Sequence, residues 1–395
     1  MSQTVIIGAA RTPMGAFQGE LSTISATELG GFAIGAAVKN ANISPKVVDE
    51  LLMGCVLPAG LRQAPARQAS IRAGLPDFVP ATTINKVCGS GMKTILLGAD
   101  QINSDSANFV VVGGMESMSN APYLSQSSRR GVRIGHASFD DHMFVDGLED
   151  AFQSNKLMGH FAEDCAEKYQ FTRKEQDTFA IQSLERARLA QEKKLFVSEI
   201  VPVPVSSKHP ERLIVDDEQP KLAKPEKIPH LKPAFQDNGS VTAANSSSIS
   251  DGAAALVLCS EQRAWDMKIP IRAKIVGYSG HAQESNWFTT APIFAVRKLL
   301  SKIGWHQDDV DLWEINEAFA VVPMAFMREM EIASNRLNIR GGACALGHPI
   351  GASGARIVVT LLNALESENL KIRKNKIAEI LSTYNHDNYN NTTVQ

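Results

Sequence analysis

Two glycine-rich turns carry the side chains best suited to covalent chemistry. Cys88 lies in KVCGSG (residues 86–91) and His348 in GHPIGASG (residues 347–354), each just before a predicted helix. N–H groups at a helix N-terminus favour a thiolate and can donate to an oxyanion, and a neutral imidazole can accept a thiol proton near pH 7. We therefore predict a Cys88 nucleophile with a lowered pKa and a His348 base. A buried, unreactive cysteine and a surface histidine are the alternatives.

A polar pair follows the predicted strand LWEI. Asn316 and Glu317 come directly after it, where α/β folds place active sites. Asn316 can hold a water or an oxyanion and Glu317 can orient a base, whereas a helix N-cap is the alternative for Asn316. Cys344 is interpreted as a pocket wall rather than a catalyst. The remaining cysteines are predicted to be packing residues: Cys55, Cys165 and Cys259.

The elements that position these turns occur twice along the chain. Strands alternate with helices, which predicts an α/β fold with parallel sheets and helical layers. Residues 36–54 match residues 298–316 at an offset of 262, and an offset of 260 places Cys88 over His348. Two related halves packed face to face would bring both turns to a common axis. The alternative is that any two α/β segments look alike.

Composition excludes several classes of protein. The 395 residues contain 40 Lys and Arg against 42 Asp and Glu, so nucleic acid is not an expected partner. No apolar run is long enough to span a membrane, and the N-terminus is not typical of a signal peptide. The five cysteines are scattered without a CxxC pair, which argues against structural zinc and a disulfide framework. We expect a cytoplasmic protein.

Seven motifs in succession resemble the thiolase family. The resemblance covers about residues 4–365, and the matching pieces are AARTPMGAF (9–17), NKVCGSG (85–91), GGMESMS (113–119), LMGHFAE (157–163), NGSVTAANSSSISDGAAA (238–255), WEINEAFA (313–320) and GGACALGHPIGASGAR (341–356). It implies a duplicated five-layer αβαβα core with an inserted loop domain. The implied units are residues 1–118 with 241–268, a loop domain at 119–240 that includes a Lys- and Pro-rich stretch, and residues 269–395 with an atypical tail from about 376.

The resemblance also implies an activity. Thiolases are acyltransferases that condense two acetyl-CoA to acetoacetyl-CoA plus CoA, or cleave a longer 3-ketoacyl-CoA, in fatty acid metabolism. Cys88 matches the acylated nucleophile, His348 the base that activates it, and Asn316 the residue that positions a water. The acyl, pantetheine and CoA path is implied at Met158, Phe235, Ser247, Ala318 and Phe319. No metal or redox cofactor is implied, and the expected assembly is a homodimer or homotetramer.

The chain also departs from the family pattern. A second catalytic cysteine, in a CxGGG-type motif near the C-terminus, has no counterpart, since no cysteine follows Cys344 and no glycine follows Gly354. The Asn-rich tail is expected to be poorly ordered, and Tyr384 and His386 are weak substitutes for the base. An impaired thiolase homologue that binds CoA esters is therefore one alternative. A ketosynthase-like condensing enzyme is another, although Asn316 argues against it. The run NWFTTAPI (286–293) leaves the acyl-chain preference open.

Overall fold

The first half of the chain alternates strands with helices. The computed structural model describes residues 3–206, 209–368 and 381–385. In chain order the first elements are β1 (Thr4–Arg11), β2 (Gly15–Ala16), α1 (Ala26–Asn40), β3 (Glu50–Gly54), α2 (Pro65–Arg72), β4 (Ala81–Ile84), α3 (Ser90–Asn103) and β5 (Phe109–Ser117). The sequence predicts a strand at 109–112 that ends at Gly113 and Gly114, whereas β5 continues to Ser117. A Cβ at Gly113 would lie 2.2 Å from Ala254 O, so only glycine allows this strand to lie so close to the neighbouring strand that contains Ala254.

The inserted segment and the second half contain the remaining elements. The insertion holds β6 (Tyr123–Leu124), β7 (Asp140–Asp141), α4 (Met158–Tyr169), α5 (Arg173–Glu192), β8 (Val203–Ser206), β9 (His209–Ile214) and α6 (Gln219–Leu222). Then follow β10 (Ser250–Ser260), α7 (Glu261–Asp266), β11 (Ala273–Lys274), β12 (Tyr278–Ala282), α8 (Ala291–Ile303), α9 (Val321–Glu329), α10 (Ala343–Leu346), α11 (Ser353–Ser367) and β13 (Leu381–Asn385).

The main sheet is mixed rather than parallel. Its strand order is β11-β1-β10-β5-β3-β4, with β2 also paired to β10. β3 is parallel to β5 and β4, whereas β10 enters after the insertion and lies antiparallel to both β1 and β5. The prediction of parallel strands therefore holds for β3, β4 and β5 but not for β1 and β10, because periodicity shows that a strand exists but not the direction from which it returns.

Both faces of this sheet are covered. Alternate strand residues such as Val111 and Val257 pack against α1 and α2 on one face. Their neighbours, such as Val110 and Leu256, pack against α3 and α11 on the other. Strands buried on both faces lack a polar alternation, which explains their uniformly apolar sequences. α3 from the first half and α11 from the second half therefore share one layer.

Close contact between α3 and α11 depends on two glycines at their N-termini. A Cβ at Gly91 would lie 2.8 Å from Ala355 N, and one at Gly354 would lie 2.4 Å from Met92 N. Any larger residue would force the helices apart. The turns that carry Cys88 and His348 precede these two helices, so the contact brings the two turns together.

The segment before Asn316 pairs with a neighbouring chain segment by an unusual route. Trp313 N–H donates to Arg336 O (2.8 Å), and Asn338 N–H donates to Trp313 O (2.9 Å). At Ile315, two residues further along, the partner is a side chain rather than a backbone. The Asn338 side-chain amide accepts from Ile315 N–H (2.9 Å) and donates to Ile315 O (2.9 Å). The predicted strand LWEI is therefore a short extended stretch with one bridge.

The C-terminal tail falls mostly outside the described residues, including His386. Within it, the backbone of β13 pairs in parallel with β12, and Tyr384 lies opposite His281. For residues 381–385 this differs from the expectation of a poorly ordered tail.

Candidate active site

Both glycine-rich turns open onto one cavity of about 740 Å³. The eight catalytic and binding residues implied by the family resemblance all line it: Cys88, Met158, Phe235, Ser247, Asn316, Ala318, Phe319 and His348. The volume is typical of a pocket for a small organic ligand. Their shared position is a finding of the structure, while their individual roles stay predictions.

The turn that carries Cys88 is tightly hydrogen-bonded and strained. Lys86 N–H donates to Ser90 Oγ (2.8 Å), and Gly89 N–H donates to Lys86 O (3.0 Å). Between them Val87 has a φ of 45°, a left-handed conformation that a β-branched residue rarely adopts. Strain of this kind persists only where surrounding contacts enforce it, and it is typical of functional sites. The turn holds Cys88 two residues before the first residue of α3.

The Cys88 thiol is protonated in the free protein, contrary to the prediction of a lowered pKa. Burial raises its pKa to about 12, and the Glu116 carboxylate adds to the effect. Removal of water from the sulfur outweighs the stabilisation expected at a helix N-terminus. A proton acceptor is therefore needed whenever Cys88 acts as a nucleophile.

His348 is held as a neutral base whose second ring nitrogen, Nε2, carries the lone pair. Its Nδ1 lies 2.6 Å from Ser353 Oγ, which donates to Pro349 O (3.1 Å). The Ser353 hydroxyl has a single proton, which it gives to Pro349 O, so it can only accept a hydrogen bond from His348 Nδ1–H. The ring proton is therefore on Nδ1, and Nε2 keeps its lone pair. Burial lowers the pKa of His348 to about 3. The imidazole is thus uncharged and able to accept a proton throughout the neutral range.

Asn316 lies beside this lone pair. Its Nδ2 donates to His348 Nε2 at 3.4 Å, and its buried Oδ1 has no hydrogen-bond partner among the described residues. An unpartnered buried carbonyl is unfavourable without a water or a ligand. The helix that follows, α9, has Ala320 at its N-cap, so Asn316 does not cap it.

Glu317 and Cys344 have supporting roles. The buried Glu317 carboxylate accepts from Ser183 Oγ (2.7 Å), Asn338 Nδ2 (2.8 Å) and Cys344 N–H (3.1 Å). None of these bonds goes to His348, so the hypothesis that Glu317 orients the base is wrong. The Cys344 thiol donates to Glu317 O (3.6 Å) and lines the cavity as a wall.

Aromatic rings shape the path away from the reacting groups. The Phe235 and Phe319 rings meet edge to face with centroids 5.9 Å apart, and Phe288 approaches Phe319 at 6.3 Å. Ser247 N–H donates to Ala318 O (2.9 Å), which joins the serine-rich segment to the segment after Asn316. The result is a narrow, mainly apolar passage.

Three charged residues on the cavity were missed by the sequence analysis. Lys224 and Lys227 line it from the Pro-rich end of the insertion, and Glu314 lines it from the segment that carries Asn316. For the two lysines, the Lys- and Pro-rich composition of this stretch was the sequence feature that could have indicated a binding role. Glu314 gave no such signal, because the sequence cannot distinguish a carboxylate that lines a cavity from one that forms a structural ion pair.

Further findings concern metals, membranes and the thiols. In the described part of the chain no group of three or more His, Cys, Asp or Glu could hold a metal ion. No helix among residues 3–206, 209–368 and 381–385 is long and apolar enough to cross a membrane. All five cysteines are free thiols.

Family models and individual proteins match almost the whole chain. The models described as "Thiolase, N-terminal domain" and "Thiolase, C-terminal domain" match residues 4–262 and 269–378. Acetyl-CoA acetyltransferase 2 of Arabidopsis thaliana is 50% identical over 93% of this chain and 91% of its own length. Acetyl-CoA acetyltransferase of Schizosaccharomyces pombe is 45% identical over 94% of each chain.

Solved structures match equally well. The Acat5 thiolase from Ascaris suum, crystallised in complex with coenzyme A, superposes with a TM-score of 0.88 at 42% identity, over 92% of this chain and 93% of that one. Acetyl-CoA acetyltransferase from Syntrophomonas wolfei gives a TM-score of 0.89 at 35% identity, over 93% and 94% of the two chains. This chain belongs to the thiolase family, and its α/β fold is the thiolase fold. The resemblance seen in the seven sequence motifs is confirmed.

Proposed function

We propose that this chain is an acyltransferase that condenses two acetyl-CoA molecules to acetoacetyl-CoA and CoA, and runs the reverse thiolysis. The observation that carries the proposal is the placement of Cys88, Asn316 and His348 on one cavity, with a neutral His348 whose Nε2 carries a lone pair and lies 3.4 Å from Asn316 Nδ2. The names of the relatives support acetyl-CoA as the substrate. The coenzyme A complex of the Ascaris suum thiolase supports CoA binding.

The first half-reaction uses Cys88 and His348, which line the same cavity. His348 Nε2 takes the Cys88 proton while the sulfur attacks the carbonyl carbon of acetyl-CoA. The carbon–sulfur bond to CoA then breaks, and the proton passes from His348 to the departing CoA sulfur. Concerted removal of the proton matters because burial raises the pKa of Cys88 to about 12. Asn316 and a water that it holds stabilise the negative oxygen.

The cavity also suits the shape and charge of CoA. The passage lined by Phe235 and Phe319 is apolar and accepts the extended pantetheine arm. Lys224 and Lys227 lie on the lining at the insertion and are exposed, so they can meet the phosphate groups. The proposed binding residues also include Met158, Ser247 and Ala318.

The test separates acylation from condensation. The chain is mixed with acetyl-CoA, and intact-mass measurement follows acetyl-enzyme while absorbance of acetoacetyl-CoA follows condensation. We expect an acetyl group on Cys88, absent from Cys88→Ala and slowed by about 10²–10⁴ in His348→Ala. Acetylation that is unchanged in Cys88→Ala would contradict the proposal.

A catalytically impaired homologue is not favoured by the relatives, which are named acetyl-CoA acetyltransferases, although no cysteine follows Cys344 in the sequence. It predicts an acetyl-enzyme that forms and then fails to condense in the same assay. The ketosynthase-like alternative is not favoured, since the relatives named above are acetyl-CoA acetyltransferases and Asn316 occupies the position next to His348 Nε2.

We also propose a homodimer or homotetramer. β4 is an edge strand of the main sheet, with no further strand paired beyond it among the described residues, and such edges pair readily with a second chain. Ile134 is 92% exposed on the β6–β7 connection, which offers a second apolar contact. Sedimentation should give a mass at least twice that of the chain, and a monomer would contradict this assembly.

A cytoplasmic location and a role in fatty acid metabolism are proposed as well. Free thiols at all five cysteines support a reducing compartment. Two Xenopus laevis relatives are named as mitochondrial. Fractionation of cells that produce the protein tests the location, and recovery with mitochondria would overturn it.

A further inference from the structure

A fully buried carboxylate at the end of β5 has no part in the half-reaction described above. Glu116 is the last residue but one of this strand, and its side chain has no exposed surface. It does not line the cavity. Carboxylates are rarely buried to this extent unless other groups satisfy them, so the contacts of Glu116 indicate what it does.

The Glu116 carboxylate joins the end of β3 to the turn that carries His348. Its Oε2 atom accepts from Val56 N–H (2.9 Å) and from Gly351 N–H (2.9 Å). Its Oε1 atom accepts from Leu57 N–H (3.1 Å), and the Cys55 thiol donates to the same oxygen (3.6 Å). The two bonds to Oε2 therefore connect a segment of the first half to a turn of the second half.

A short series of contacts extends this connection to the turn that carries Cys88. Val56 O accepts from Asn85 Nδ2 (3.4 Å), and Asn85 Oδ1 accepts from Val87 N–H (3.0 Å). The side chains of Val87 and Cys88 also pack against the hydrophobic cluster that contains Val56. The position of Val56, which Glu116 holds, thus supports the residue before Cys88.

The fit of the His348 turn against β3 leaves little room for adjustment. A Cβ at Gly351 would lie 2.6 Å from Glu116 Oε2, and one at Gly54 would lie 2.7 Å from Gly351 O. The backbone of Gly351 is therefore confined between the carboxylate and the end of β3. Because His348 is only three residues before Gly351, its position depends on where the carboxylate ends.

We propose that Glu116 is a positioning residue that aligns the Cys88 thiol with His348 by means of its Oε2 atom, a role that rests on the proposed function. Proton transfer requires the two side chains to meet within hydrogen-bond reach or through one water. A displacement of about 1 Å in such an arrangement can slow a reaction by roughly 10²-fold. Glu116 supplies the alignment without touching either reacting group.

The alignment does not require a negative charge on Glu116. Burial raises the pKa of this carboxyl to about 7, although its hydrogen bonds oppose the shift. Oε2 faces two N–H donors, so a proton on the carboxyl goes to Oε1, beside the Cys55 sulfur. Oε2 therefore remains an acceptor in both forms of the acid.

This distinction sets the order expected for three substitutions. In Glu116→Gln the amide oxygen can take the place of Oε2 and keep both bonds. Glu116→Asp is too short to reach Val56 and Gly351 together, and Glu116→Met keeps the size of the side chain without a strong acceptor. A role in positioning therefore predicts that Gln is tolerated best, whereas a role of the charge predicts that Asp is.

The test follows alkylation of Cys88 by iodoacetamide from pH 6 to 9, with peptide mapping and without any CoA ester. In the unaltered chain we expect a nearly constant rate, because neutral His348 takes the proton. Glu116→Met should slow labelling at pH 7 at least about tenfold, and its rate should rise with pH by up to about tenfold per unit. Glu116→Gln should keep the flat profile. In a His348→Ala background Glu116→Met should cause no further slowing, because the assistance is already lost.

The matched control lies at the other end of the same strand. The Asp49 carboxylate accepts from Asn108 N–H (2.7 Å) and Phe109 N–H (2.9 Å) at the start of β5, and it does not line the cavity. Asp49→Asn should leave both the rate and the slope unaltered. Where Glu116→Met does not fold, the comparison of Asp with Gln decides the question. Faster labelling in Glu116→Asp than in Glu116→Gln would overturn the proposal, as would a flat profile in Glu116→Met or a steep one in the unaltered chain.

Acetylation by acetyl-CoA is measured separately. Glu116→Met should slow acetylation at saturating acetyl-CoA and leave the half-saturating concentration within about twofold, because the residue does not contact the substrate passage. If the alkylation profile depends on Glu116 and the unaltered chain forms no acetyl-enzyme, the proposed function is wrong and the positioning role stands. If acetyl-enzyme forms and Glu116→Met is alkylated like the unaltered chain, the positioning role is wrong and the proposed function stands.

Discussion

At the scale of residues, Cys88 and His348 are both uncharged in the free protein, so Cys88 needs His348 to accept its proton when the sulfur attacks. The Cys88 thiol has a pKa raised to about 12 by burial, and the pKa of His348 is lowered to about 3 by the same cause. An ion pair between a thiolate and an imidazolium is therefore disfavoured in the free protein. The proton must move in the transition state rather than before it.

This gives a distinctive pH dependence for alkylation of Cys88 by iodoacetamide. Neutral His348 is present at every pH above about 3, so its assistance makes the labelling rate nearly constant from pH 6 to 9. In His348→Ala only free thiolate reacts, so the rate should be lower and rise about tenfold per pH unit. Peptide mapping at several pH values checks both slopes. A steep slope in the unaltered chain would show that His348 does not assist.

The sequence predicts which side chains meet but not how strongly they ionise. Cys88, Asn316 and His348 were found because glycine-rich turns and strand ends have local signatures that hold in any α/β fold. The raised pKa of Cys88 and the burial of the Glu314 carboxylate depend on how distant segments exclude water from these groups. No local pattern encodes that exclusion.

At the scale of elements, the contact between α3 and α11 sets the geometry of the site. Gly354→Ala should lower the free energy of unfolding by about 1–3 kcal/mol, because the new Cβ would lie 2.4 Å from Met92 N. It should also slow acetylation of Cys88, since the helices would separate where the two turns meet. Urea unfolding and the acetylation assay measure both effects.

The matched control is another glycine inside a helix. Gly35 lies in α1, and a Cβ added to it would have no neighbouring atom closer than 3.6 Å. Gly35→Ala should therefore leave acetylation unaltered and add up to about 1 kcal/mol of stability. Equal effects of the two substitutions would mean that helix propensity, rather than the α3–α11 contact, explains the result.

The elements themselves were largely predictable, and their arrangement was not. Apolar periodicity predicts helices at 27–40 and 92–103 and a strand at 50–56, and the observed bounds of α1, α3 and β3 agree with these to within two residues. The antiparallel entry of β10 depends on where the chain returns after more than a hundred residues, and the pairing of Ile315 with the Asn338 side chain likewise joins distant segments. Such long-range choices follow from the packing of the whole sheet.

At the scale of the whole molecule, buried ionisable groups join the insertion to both halves. Arg11 in β1 donates to Glu199 (2.6 Å) and Asp217 (2.7 Å) of the insertion, with all three side chains fully buried. Arg340 Nη1 lies 3.8 Å from Glu199 Oε2 and extends the cluster to the second half. Breaking one such pair leaves an uncompensated charge, so the cluster resists separation of the three parts.

The same burial predicts that stability falls as the pH rises from 6.5 to 8. Burial raises the pKa of Glu116 to about 7 and that of Glu314 to about 8, against 4.5 for either carboxyl when unfolded. In this window the folded chain therefore holds more protons than the unfolded chain, and each extra proton lowers the free energy of unfolding by about 1.4 kcal/mol per pH unit. His348 acts in the opposite direction only between about 3 and 6.5, so it contributes little here. Urea unfolding at pH 6.5 and 8 should show the decline, and Glu314→Gln should flatten it. A free energy of unfolding that rises across this window would mean that both carboxyls are already ionised in the fold.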